Sequence, residues 1–221
     1  MNRTWWLYVL GVAATFLSFP YPPKLLALLA GEIVVILMIW AGLWFGAHVQ
    51  LGSSIPSLRR AVIALLIGIA CGGIVIALLP LAGLQSRIIK EASIPLWQWL
   101  IIAFDSATLE EIVFRLFIVS LVVWLINVAT AALSGRGAAE GSGTHIGIWI
   151  ALVISALLFG AAHLNRWIHS GPTVIVAVIL VNGLVAIALG LLYVKWGIEA
   201  AMLGHFAGDV MLHIIGPHFF I

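Results

Sequence analysis

Charge is what this sequence has least of. Lys, Arg, Asp and Glu make up 8% of its 221 residues, 10 basic against 8 acidic. A soluble domain carries about 25%, and a chain of this size leaves much of its surface exposed. With 64% of the residues hydrophobic and a mean hydropathy of +1.23, no soluble fold could hide so much apolar surface. A soluble domain is thereby excluded, and an integral membrane protein remains. The formal net charge of +2 is too small to hold a phosphate backbone, so no nucleic-acid partner is expected.

Other things are missing too. The single cysteine, Cys71, excludes an intrachain disulfide; inside an apolar segment it reads as a small helix-packing residue rather than a reactive thiol. No G-x-S-x-G elbow is present, which argues against serine chemistry, and no H-E-x-x-H, which removes the usual zinc-protease helix. No internal repeat of the kind many transporters carry is visible. The start, "MNRTWWLYVLGVAATFLSF", puts Arg3 before an apolar stretch as a signal peptide would. No convincing small-x-small cleavage site stands before "PYPPK", so the stretch reads as a retained first helix.

What is there is apolar length. A spanning helix needs roughly 20 mostly apolar residues, and suitable runs cover 5–19, 25–47, 61–84, 97–133, 146–164, 174–194 and 198–215. The 97–133 run is too long for one crossing. It implies either a tilted helix or a short interfacial helix followed by a span starting near Asp105. Ten tryptophans suit the headgroup level on both sides. The expectation is an all-α, polytopic transmembrane bundle of about seven or eight membrane helices.

Ionisable side chains inside such runs are costly and mostly functional. They are Glu32, Asp105, Glu110, Glu111, Arg115, His163, His205, Asp209 and His213. In "EEIVFR", 110–115, Glu111 and Arg115 stand at i, i+4 with the acid first, the order that favours a pair on one helix face. Glu110 is turned about 100° from its neighbour and has no evident partner on its own helix. That reading makes Glu111 and Arg115 a brace and Glu110 the carboxylate being held, available as a general base. In "FGAAH", 159–163, Phe159 and His163 share a face. In "HFAGD", 205–209, His205 and Asp209 share one, with His213 a turn further on. A His/Asp pair at this spacing suits a metal half-site or an imidazole oriented by a carboxylate. A bundle must turn three such polar faces inward, so one cavity should receive Glu110, His163, His205 and Asp209 and hold the parts for activating water.

At these residues the sequence resembles the CPBP intramembrane protease family, which includes the CAAX prenyl endopeptidases and bacteriocin-processing and immunity-type relatives. The family's E-E-x-x-x-R, F-x-x-x-H and H-x-x-x-N motifs correspond in order to "EEIVFR", "FGAAH" and "HFAGD". The likeness covers roughly 95–215, so residues 1–94 form N-terminal membrane helices outside the motifs and 95–221 the catalytic core, within one integral membrane domain. The resemblance implies that Glu110 and His163 activate the attacking water. It implies that Glu111 and Arg115, with Phe159, support the site, and that His205 and the residue at 209 stabilise the oxyanion. Position 209 is Asp rather than Asn, and an ionised carboxylate cannot donate to an oxyanion. Asp209 would then be protonated, orient His205, or bind a metal.

The resemblance thus points to an endopeptidase acting in or near the bilayer of a bacterial or archaeal cell. Its partners would be lipid and a peptide or membrane-protein substrate, prenylated or not. No cofactor is expected; the zinc alternative would use His163, His205 and Asp209. Two other classes fit the same residues: a proton-coupled transporter, since intramembrane acids and histidines also build relays, and a non-catalytic protein that binds a peptide or partner.

Overall fold

The computed structural model describes residues 4–18, 24–133, 144–167 and 169–219. Residues 1–3 of the signal-like start, the "PYPP" stop and the Gly- and Ser-rich loop over 134–143 lie outside them. Every regular element described is helical. They are α1 (Trp5–Ser18), α2 (Leu25–Val49), α3 (Leu58–Leu78), α4 (Gln85–Glu91), α5 (Leu96–Glu111), α6 (Ser120–Leu133), α7 (His145–Ala162), α8 (Pro172–Trp196) and α9 (Ile198–Asp209). A π-helical stretch, Ile112–Val119, joins α5 to α6, and a second, Val210–Ile215, extends α9. Among the described residues six helices are long and apolar enough to cross a membrane, and α1 is a shorter apolar one. The protein is a polytopic helical bundle, an integral membrane protein.

The long run is a single helix. Leu96–Leu133 is continuous over 38 residues, about 57 Å at 1.5 Å per residue, far more than the bilayer core needs. No proline or glycine interrupts it, so nothing separates an interfacial piece near Asp105 from the span. Helix ends fall where local chemistry predicts. Gln50, in left-handed conformation at φ 59°, closes α2. Ser57 caps α3 and Thr144 caps α7, each accepting a main-chain N–H, and Pro172 opens α8 after Gly171.

Two features fix α9, the helix that carries His205. Its first turn is tied to the α2–α3 loop, where Glu199 accepts from the Ser54 N–H at 2.8 Å and from the Ser53 hydroxyl. Gly197, at φ 94°, makes the break from α8 in a conformation that L side chains rarely adopt. Further along, α3 and α9 cross almost backbone to backbone. A Cβ on Gly68 would stand 1.9 Å from the Gly204 carbonyl oxygen, and one on Gly72 2.7 Å from that of Gly208. Both helices present small-xxx-small faces, Gly68/Gly72 and Gly204/Gly208, the pattern that lets helices approach closely in lipid. The N-terminal helices therefore bear directly on the motif region.

Candidate active site

The Glu111–Arg115 pair forms as the spacing predicts, with Oε1 and Nη1 3.1 Å apart and both side chains buried. Arg115 also donates through Nη2 to the Ala186 carbonyl at 3.2 Å, and its guanidinium lies 4.6 Å above the centre of the Phe159 ring. An acid, a carbonyl and an aromatic face compensate much of this buried charge, while Nε and Nη1 make no hydrogen bond and Nη1 meets Glu111 by charge alone. Phe159 is the floor under Arg115, and its own backbone continues the network. His163 Nδ1 lies 2.8 Å from the Phe159 carbonyl oxygen. A carbonyl only accepts, so Nδ1 carries the proton and Nε2 is the nitrogen left for a ligand.

Glu111 does more than brace Arg115. Its Oε1 is also 2.8 Å from His205 Nδ1, a contact between residues 94 positions apart. The carboxylate that orients His205 is therefore Glu111, not the Asp209 suggested by i, i+4 spacing. The other ring nitrogen, Nε2, faces two acids: Glu110 Oε2 at 3.7 Å and Asp209 Oδ1 at 3.6 Å. Three carboxylates thus surround one imidazole. Glu110 has a partner on its own helix after all, the Ser106 hydroxyl at 3.4 Å to Oε1. Ser106 precedes it by four residues, so the two side chains share a helix face and the hydroxyl donates forward to the carboxylate. Glu110 Oε2 is buried and makes no hydrogen bond.

Glu110, His163, His205 and Asp209 all line one cavity of about 380 Å³, as the three inward faces required. Its walls also include Cys71 and Val75 of α3 and Val178, Val181 and Asn182 of α8. His213, a turn beyond Asp209, lines it as well, and its Nδ1 is 2.7 Å from Glu91 Oε2. Glu32 and Asp105 are not in the lining; Asp105 is bonded to the Ser18 hydroxyl. Among the described residues no group of three or more His, Cys, Asp or Glu is placed to hold a metal ion. His163, His205 and Asp209 share the cavity without forming a ligand set.

Both π-helical stretches begin one residue after a site acid, Glu111 in one case and Asp209 in the other. Wide turns of this kind recur at functional sites. In the first of them the Ser155 hydroxyl donates to the Phe114 carbonyl at 2.8 Å. The residues not anticipated from sequence are Ser106, Glu91, Trp99 and the α3 glycines. Of these only the glycines had a readable signal, the G-x-x-x-G spacing at 68–72 and again at 204–208.

An apolar helical bundle that encloses acids and imidazoles in a cavity defines a membrane protein built around an intramembrane polar site. A family model, that of the Rce1-like type II CAAX prenyl endopeptidases, matches residues 92–211, more than half of the chain, and the protein belongs to that family. The matched region contains Glu110, Glu111, Arg115, Phe159, His163, His205 and Asp209; α1 to α3 and Glu91 precede it. No curated protein and no solved structure matches the chain.

Proposed function

We propose that the protein is an endopeptidase that hydrolyses a peptide bond in or near the bilayer, with water activated by Glu110 and His163. The observation that carries this reading is the state of Glu110: Oε2 is buried and without a hydrogen bond, on a side chain that lines the cavity shared with His163. A carboxylate oxygen that takes no hydrogen bond from the protein and sits beside the His205 imidazole at 3.7 Å is free to accept one from a water, as a general base must.

Glu110 Oε2 takes one proton of the water, while His163 Nε2 accepts a hydrogen bond from the other. The oxygen attacks the scissile carbonyl carbon, and negative charge moves to the carbonyl oxygen. His205 receives it, since Nδ1–H is committed to Glu111 and a proton on Nε2 points to the cavity side. On collapse the C–N bond breaks, and the proton held by Glu110 goes to the leaving amine. Asp209, an acid beside His205 Nε2, supports the charge on that imidazole rather than donating to the oxyanion. The substrate is a peptide or a segment of a membrane protein, prenylated or not. No metal is needed for this sequence of steps.

The test uses purified full-length protein in detergent, wild type and Glu110→Gln, incubated with prenylated and unprenylated peptides and read by mass spectrometry. Cleavage by the wild type and its loss in Glu110→Gln is expected. Equal product from both would remove Glu110 from the reaction, and ion flux in proteoliposomes without any cleavage would favour a transporter instead.

A further inference from the structure

The end of the cavity away from Glu110 holds a second cluster that the hydrolysis above does not use. His213 Nδ1 and Glu91 Oε2 are 2.7 Å apart. The His213 ring lies flat on the Trp99 indole, with centroids 4.7 Å apart and planes 8° from parallel. The Trp99 Nε1–H donates to the main-chain carbonyl of Glu91 at 3.2 Å. All three side chains line the cavity. Trp99 and Glu110 lie on one helix, α5, and their separation in sequence puts the cluster about 16 Å from Glu110 along its axis.

Three elements meet at this cluster. Glu91 ends the seven-residue α4, Trp99 is in the first turn of α5, and His213 belongs to the π stretch beyond α9. The long apolar helix containing α5 begins only at Leu96, so α4 precedes the span and stands at its end, not within it. A helix of seven residues has too few internal hydrogen bonds to persist alone; it is held by what it docks on. Its buried apolar anchor is Ile88, packed with Val75 and Leu79 and with Leu212 against them. Gly83, at φ 69°, forms the turn on its N-terminal side. An apolar anchor and a polar clasp, with packing against the Gly216–Phe219 turn, hold a short helix that forms a wall of the cavity through Ile88 and Glu91, with Leu84 just before it.

We propose that α4 is a lid on the outer end of the cavity and that Glu91 and His213, stacked on Trp99, are its latch. Breaking the pair releases Glu91 from the π stretch and leaves the C-terminal end of α4 tied to α5 by the Trp99 Nε1–H bond to the Glu91 carbonyl and by the short link over 92–95. The lid then shifts between the Gly83 turn and the 92–95 link and opens a path along α5 from Trp99 toward Glu110. That a peptide is what enters rests on the proposed function; the latch itself does not.

The chain supplies its own reporter. Cys71 is the sole cysteine and lines the same cavity, so the rate at which a water-soluble maleimide modifies it in the full-length protein measures access. Glu91→Gln and His213→Gln are expected to raise that rate by about ten-fold over wild type, as a shift in a local opening equilibrium would. Trp99→Phe, which removes the Nε1–H donor and leaves a smaller ring for His213 to stack on, should give a smaller rise in the same direction and serves if either other variant fails to fold. Glu110→Gln, outside the latch, should label at the wild-type rate, and Cys71→Ser should not label. Wild-type labelling rates in folded latch variants would overturn the proposal. Faster labelling without any peptide cleavage would leave the latch standing and sink the protease reading, so the two failures are distinguishable.

Discussion

His205 Nδ1 and Arg115 Nη1 meet on the same atom, Glu111 Oε1, at 2.8 and 3.1 Å. One carboxylate oxygen therefore balances a structural cation and orients a site imidazole, and folding and chemistry are joined at Glu111.

The first consequence concerns stability. Arg115→Ala leaves Glu111 as a buried charge with its main partner gone, which costs roughly 3–5 kcal/mol. The unfolding temperature in detergent should fall clearly below that of the wild type. Glu111→Gln combined with Arg115→Met removes both charges and should recover most of the loss. An Arg115→Ala protein as stable as wild type would contradict the brace.

Glu110 should behave in the opposite way. Its Oε2 makes no hydrogen bond and meets His205 Nε2 only at 3.7 Å, so Glu110→Gln should unfold near the wild-type temperature while cleavage falls by about 10²–10⁴, the usual contribution of a general base. Loss of stability in step with activity would return Glu110 to a structural role.

Asp209 separates support from direct participation. Asn at this position can donate to the oxyanion where an ionised Asp cannot, so Asp209→Asn should retain cleavage. His205→Ala should lose about 10²–10³, as when an oxyanion donor is removed. A dead Asp209→Asn enzyme would show that the carboxylate itself is required. The same assay addresses metal: cleavage should survive dialysis against chelator and gain nothing from added Zn²⁺. Loss with chelator, restored by zinc and absent in Asp209→Ala, would make Asp209 a ligand.

The α3–α9 crossing carries its own internal control. A Cβ at Gly68 meets the Gly204 carbonyl oxygen at 1.9 Å, whereas one at Gly73 has nothing within 4 Å. Gly68→Ala should destabilise by about 1–3 kcal/mol or more through overpacking and should reduce cleavage, since His205 follows Gly204 directly. Gly73→Ala should leave both unchanged. Equal effects of the two substitutions would mean that α3 is a passive neighbour of the site.

Some of this was legible from the residues alone. Composition settles the solvent: with so few charges and so many apolar residues the chain must lie in lipid. The helical period settles local pairs, which is why Glu111–Arg115 and the face shared by Phe159 and His163 could be read from spacing. Inward convergence of Glu110, His163, His205 and Asp209 also followed, because lipid leaves polar faces only the bundle interior. Tertiary structure decided the rest. Glu111 reaches His205 across 94 residues, and nothing local in either segment encodes which carboxylate would meet which imidazole; spacing pointed to Asp209, four residues away and in reach. The continuity of Leu96–Leu133 and the π turns after Glu111 and Asp209 depend on packing against neighbours, as at Ser155, which takes up the Phe114 carbonyl. The pairing of His213 with Glu91 and Trp99 likewise arises only when α4 folds over the end of the bundle. Spacing along one helix is fixed by covalent geometry, but contacts between helices are chosen by packing.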